Sequence, residues 1–181
     1  TGDYTSVSPQ GTSFKADGDD AAIVYAAPVV NGLEVVVSFT PQGDIREDEG
    51  TSYSLTYGMG NFEVYAGADE TDAAADAQTA YGAKFGFQGL DLAVEYGDQS
   101  DAAAGADDEF QSLSATYSIG ATTIGYEGQT TKADGSTTSD EVNLFVEHAI
   151  GGGLTVYAQQ TEDDDASTKV DSTYLGVNYS F

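Results

Sequence analysis

The chain has no cysteine and no tryptophan, one histidine, three prolines, and five basic residues against 31 acidic ones, a formal net charge of −26 over 181 residues. Without cysteine no disulfide can form, and the redox compartment leaves no trace. A Ser/His/Asp arrangement would have to use His148, and nothing at that spacing recommends it. Neither a zinc motif nor a phosphate loop is present, so no catalysis is expected. The scarcity of Lys and Arg argues against nucleic acid, since no basic patch exists to neutralise phosphates. No apolar run approaches the roughly 20 residues of a membrane helix. That excludes a helical span but not a membrane barrel, whose strands are individually weak signals. The opening Thr1-Gly2-Asp3 carries neither Met nor a charged leader, so a mature or shortened chain is expected.

Glycine (22) and tyrosine (12) are plentiful. Residues 1–20 read as a long loop, anchored at most by Tyr4, Val7 and Phe14. From Ala21 a single unit repeats: a strand, a very short turn, a returning strand, then a long acidic connection. The short turns lie at 30–32, 58–61, 87–89, 119–121 and 150–153, each with glycine where a tight hairpin needs positive φ. The long connections, at 41–50, 69–78, 98–108, 130–140 and 161–171, are rich in Asp, Glu, Ala, Ser, Thr and Gly, which cannot build a core. About eleven strands lie between them, at 21–28, 33–40, 51–58, 62–68, 79–87, 90–97, 109–118, 122–129, 141–149, 154–160 and 172–181. The pattern predicts an all-β, antiparallel up-and-down meander over 21–181.

The strands alternate with period two. Leu33, Val35, Val37 and Phe39 share one face, as do Leu90, Leu92, Val94 and Tyr96; Glu34, Ser38, Asp91 and Glu95 take the other. Period two says which side is apolar but not whether that side points in or out. Side-chain size decides. A closed core needs large residues, whereas this chain has no Trp, eight Phe, and Tyr at the ends of many apolar rows. With the apolar face toward lipid, those tyrosines form an aromatic girdle. The apolar set carries no acidic or basic residue. His148 falls on it near a short turn and reads as an interfacial residue. Val36, Tyr65, Phe145 and Tyr157 break the pattern by facing the polar side. A pore wall tolerates such residues, and a long loop could pack on them.

The last strand bears Thr173, Leu175, Val177, Tyr179 and Phe181 on one face and ends on an aromatic residue. It resembles the closing strand of a bacterial outer-membrane β-barrel, in which Tyr179 and the terminal Phe181 would be the signal read by the barrel-assembly machinery. The whole chain resembles the later part of a trimeric general porin of alphaproteobacterial type, in its small Gly- and Ala-rich strands, acidic loops and terminal Phe. That resemblance implies a homotrimer in the outer membrane of a Gram-negative bacterium, in contact with lipid and lipopolysaccharide. It implies about sixteen strands per barrel, of which about eleven are present. Counted back from Phe181, the strand at 21–28 would be the sixth. Residues 1–20, with Asp17, Asp19 and Asp20, would then belong to the inward constriction loop. An odd strand count leaves an edge that lipid does not tolerate, so an amino-terminal part of the same protein is expected elsewhere.

The polar face carries the candidate site. Glu34, Glu63, Asp91 and Glu147 lie near short turns and would form an arc of carboxylates at one mouth. Glu95, Glu127 and Glu141 stand nearer the other end, and Lys84 is the one inner cation. A pore so lined attracts cations, so weak cation selectivity is expected of a passive diffusion channel. Three acidic clusters offer hard oxygen ligands to calcium: the aspartates at 17, 19 and 20, then Asp107, Asp108 and Glu109, then Glu162, Asp163, Asp164 and Asp165. None has the spacing of a dedicated calcium loop; no cofactor is required. Two other readings stay open: an outer-membrane adhesin or receptor barrel acting through its loops, and a secreted acidic β-protein that binds calcium.

Overall fold

The computed structural model describes residues 23–41, 50–71, 77–101, 106–133, 136–165 and 168–180. Among these residues there are eleven strands and no helix. They are β1 (Ile23–Ala26), β2 (Leu33–Thr40), β3 (Gly50–Met59), β4 (Phe62–Thr71), β5 (Ala77–Phe87), β6 (Leu90–Asp101), β7 (Ala106–Ile119), β8 (Thr122–Ala133), β9 (Ser136–Gly151), β10 (Leu154–Asp165) and β11 (Thr168–Tyr179). They form one sheet in chain order, with β1 and β11 at its edges. Each strand is antiparallel to the next, as a meander requires.

Local chemistry places the short turns. Asn31 and Gly32 both have positive φ, 52° and 84°, the geometry whose twist matches the flanking strands of a two-residue hairpin. Gln88 and Gly89 repeat it at 49° and 84°. The long connections depart from expectation. β4 and β5 continue to Thr71 and from Ala77, β8 and β9 to Ala133 and from Ser136, β10 and β11 to Asp165 and from Thr168. Stretches such as 130–133 and 162–165 have no apolar face, so periodicity is silent there. Backbone pairing needs no apolar face where both sides meet water, and a hairpin already in register simply continues. Among the described residues β1 ends at Ala26, short of the expected Pro28. Its ladder runs from Ile23↔Phe39 to Ala26↔Val36, followed by one bond from Ala27 N to Val35 O at 2.9 Å. Pro28, next in line, has no N–H to donate.

The two faces differ in exposure, opposite to the order of a soluble core. Leu92, Val94, Leu144 and Val177 are 37, 48, 50 and 65% exposed, while Glu95, Ser112 and Asn143 are 5, 7 and 2% exposed. All the least exposed side chains lie on the polar face, Tyr65 and Ala80 included. Such crowding of one face and splaying of the other marks a sheet curving around its polar side. The outer face is banded. Leu55, Ala83, Leu92 and Leu113 fill its middle, with Tyr57, Phe87 and Tyr117 toward the short turns and Tyr53, Tyr81 and Tyr96 toward the other end. Tyr81 and Tyr96 are register partners, with ring centroids 5.2 Å apart. Rings at both ends of an aliphatic band are what a bilayer selects, since a tyrosine can bury its ring and keep its hydroxyl wet.

The outward orientation predicts a one-sided response to charge. In the full-length protein folded into lipid vesicles, Val94→Arg lowers unfolding stability in urea by about 2–4 kcal/mol, the midplane value for arginine. Ser114→Arg, on the polar face one strand away, shifts it by less than about 0.5 kcal/mol. Equal losses at both positions would remove the distinction between the faces.

Candidate functional site

The register sets the polar wall. One row of partners climbs from Glu34 on β2 through Tyr65, Gly82 and Glu95 to Glu141 and Asp163 on β9 and β10. In that row the Tyr65 hydroxyl donates to Glu95 Oε2 at 2.7 Å, although β5 lies between them. Gly82 makes this possible: a Cβ there would stand 2.4 Å from the Tyr65 ring and hydroxyl and 2.6 Å from the Val94 carbonyl oxygen. Lys84, two residues along β5, places its Nζ 3.4 Å from Glu63 Oε1 and 5.0 Å from the centroid of the Tyr65 ring.

The same device recurs. A Cβ on Gly97 would meet Phe110 at 2.3 Å, on Gly125 would meet Phe145 at 2.1 Å, and on Gly176 would meet Tyr157 at 2.2 Å. Each ring and its glycine are direct register partners. Three of the four apolar residues that break the polar pattern are thereby explained: their rings lie across a neighbouring strand that has no side chain. A second polar chain links β8 to β10. Asn143 Nδ2 donates to Glu127 Oε2 at 3.4 Å, Thr161 Oγ1 to Asn143 Oδ1 at 3.5 Å, and Gln159 Nε2 to Thr161 Oγ1 at 3.1 Å.

All eight expected wall residues lie on the polar face. Glu34 and Asp91 are exposed, Glu63, Lys84, Glu141 and Glu147 half-buried, Glu95 and Glu127 buried. The structure brings Lys84 to Glu63 and sets Glu141 opposite Asp163. Glu34, Glu63, Asp91 and Glu147 stand on β2, β4, β6 and β9, with no two as register partners. Sequence reasoning missed Asp69, which accepts a bond from Ser52 Oγ at 3.2 Å, because residues 69–78 read as loop. Asp163, one of the calcium candidates, falls on the polar face by the period-two count along β10, an extension of the Leu154–Gln160 alternation. Glu162 and Asp164 take the opposite face, as do Asp108 and Glu109 relative to each other. Among the described residues no three acidic or histidine side chains gather closely enough to hold a metal ion. Tyr179 closes β11 and is 60% exposed. His148 is exposed on the outer face, its Nδ1 2.9 Å from Thr122 Oγ1. Asp17, Asp19, Asp20 and Phe181, with the side chains of Asp107 and Asp165, lie outside the described residues.

The wall has counterparts among known proteins. A family model described as Gram-negative porin matches residues 1–168. No protein of curated function matches the sequence. A porin structure superposes with a TM-score of 0.76 at 19% identity, over 94% of this chain and 64% of its own. An anion-selective porin from Comamonas acidovorans gives 0.73 at 12% identity, over 88% of this chain and 59% of its own. Salmonella typhi OmpF, in complex with daunomycin, gives 0.68 at 15% identity, over 87% and 61%. The chain thus spans about three fifths of the length of these relatives. At such identities the likeness is one of fold: the eleven strands are those of an up-and-down transmembrane β-barrel.

The bond across Gly82 has a measurable weight. Tyr65→Phe leaves the buried Glu95 carboxylate without its donor and lowers unfolding stability of the full-length protein by about 1–3 kcal/mol. A urea midpoint unchanged from the parent would show that water replaces the phenol at no cost.

Proposed function

The chain belongs to the Gram-negative porin family, a family of channels rather than enzymes, and from that premise we propose that its polar face lines a water-filled pore. Its place is the outer membrane of a Gram-negative bacterium. The pore passes ions and small hydrophilic solutes by diffusion and favours cations weakly. One observation carries the sign of that preference. Among the described residues of the polar face, Lys84 stands against Glu34, Glu63, Asp69, Asp91, Glu95, Asp108, Glu127, Glu141, Glu147 and Asp163, and Lys84 is itself paired with Glu63. Fixed charge of one sign raises the local concentration of its counter-ions, over a Debye length of about 8 Å at physiological salt. Fold alone does not set this preference, since a porin described as anion-selective shares the architecture.

By the same resemblance the functional unit is a homotrimer, inserted by the barrel-assembly machinery beside lipid and lipopolysaccharide. The acidic strand ends favour diffuse bridging by calcium to anionic lipopolysaccharide over one dedicated site.

In planar bilayers under a potassium chloride gradient, the full-length protein gives a reversal potential of the sign for potassium. Replacing Glu34, Asp91 and Glu147 by their amides moves that potential toward zero. A chloride-selective parent would overturn the reading. Adding calcium raises the melting temperature and chelation lowers it again; an unmoved transition would remove the bridging role.

A further inference from the structure

Four aromatic rings on the polar face lie over glycines, and what stands beside each ring differs. Toward the short turn, the pair next to Tyr65 and Gly82 is Glu63 with Lys84. There the ammonium sits 5.0 Å from the ring centroid and 3.4 Å from the carboxylate. The chain itself thus shows what such a platform holds: an alkylammonium against a π face, with a carboxylate at its side. Next to Phe110 and Gly97 the pair is Ser112 with Glu95, whose carboxylate already accepts the Tyr65 hydroxyl. Next to Tyr157 and Gly176 the pair is Thr155 with Asn178, which is uncharged.

Next to Phe145 and Gly125 the pair is Glu147 with Thr123. The carboxylate is in place, and a threonine stands where the Tyr65 platform has its lysine. On the other side of the ring the next pair is Glu127 with Asn143, and there the asparagine amide already donates to the buried Glu127 carboxylate. Phe145, Glu147 and Thr123 are half-buried. The far edge of the ring covers Gly125. The other lysines of the described residues stand elsewhere in the sheet. Lys132 is the partner of Glu109 and Thr137 at the far end of β8, and Lys169 lies 3.7 Å from Glu162.

We propose that the Phe145 ring, with Glu147 beside it, is a binding site for the ammonium group of a permeating alkylammonium solute. The ring supplies the negative π face and the Glu147 carboxylate supplies charge, as Tyr65 and Glu63 do for Lys84. The solute's route to the site rests on the channel reading; the site's affinity does not.

Butylammonium, the free counterpart of a lysine side chain, is the probe. Its NMR line broadening is titrated against the full-length protein in detergent micelles. Phe145→Leu weakens binding by about two- to fivefold, the range for an ammonium on an exposed ring, and Phe145→Tyr retains it. Thr123→Lys places the chain's own ammonium on the ring and abolishes binding. If Phe145→Leu does not fold, Thr123→Lys decides, since it leaves the ring and its glycine untouched. A parent that does not broaden the probe, or equal affinity in the parent and Thr123→Lys, overturns the proposal. Conductance in potassium chloride is read separately. Binding without conductance would keep the site and refute the channel.

Discussion

A backbone in hydrocarbon has no water to bond, so every N–H and C=O in the membrane must find its partner in a neighbouring strand. That constraint dictates most of what is seen here. It holds eleven strands in one uninterrupted antiparallel ladder, and the ladder holds the register. Because side chains alternate with period two, the register then sorts every residue to lipid or to water. Leu92 and Val94 go one way and Asp91 and Glu95 the other through backbone geometry alone. No packed interior is needed, and the largest apolar residues remain among the most exposed.

The polar side meets a different requirement. A curved wall crowds its inner side chains, and charged groups there must be hydrated or paired. Glycine relieves the crowding. Where β5 has Gly82, a tyrosine from β4 crosses to a glutamate on β6; Gly97, Gly125 and Gly176 let three more rings reach over a neighbouring strand. These rings cover backbone that glycine would otherwise expose, the aromatic rescue known from paired strands. They also leave π faces beside carboxylates, a setting that favours cations. The covered glycines and the rings beside the carboxylates therefore share one cause, the placing of small residues opposite large ones.

Much of this was legible from the chain. Alternation located β2 to the residue, and Asn31-Gly32 located its turn, because both signals are local. Orientation was legible from the missing tryptophan and the tyrosines at row ends, since a bilayer and a core ask for different side chains. The strand extensions beyond Gln129 and Gln160 were not legible: with no apolar face, sequence gives a wet strand and a loop the same texture. Nor was the reach of Tyr65 to Glu95, which are thirty residues apart. It depends on which glycine lies between them, and only the pairing of β4 with β5 and of β5 with β6 says so.

The order of residues was by itself enough to determine an up-and-down sheet with one lipid face and one acidic face, because alternation and turn chemistry act over a few residues. Which acidic residues became neighbours was decided by the tertiary structure. Register joins positions far apart in the chain, and the curvature of the wall presses their side chains together. Glu63 found Lys84, Glu95 found Tyr65, and Glu147 came to stand next to Phe145 and opposite Tyr157.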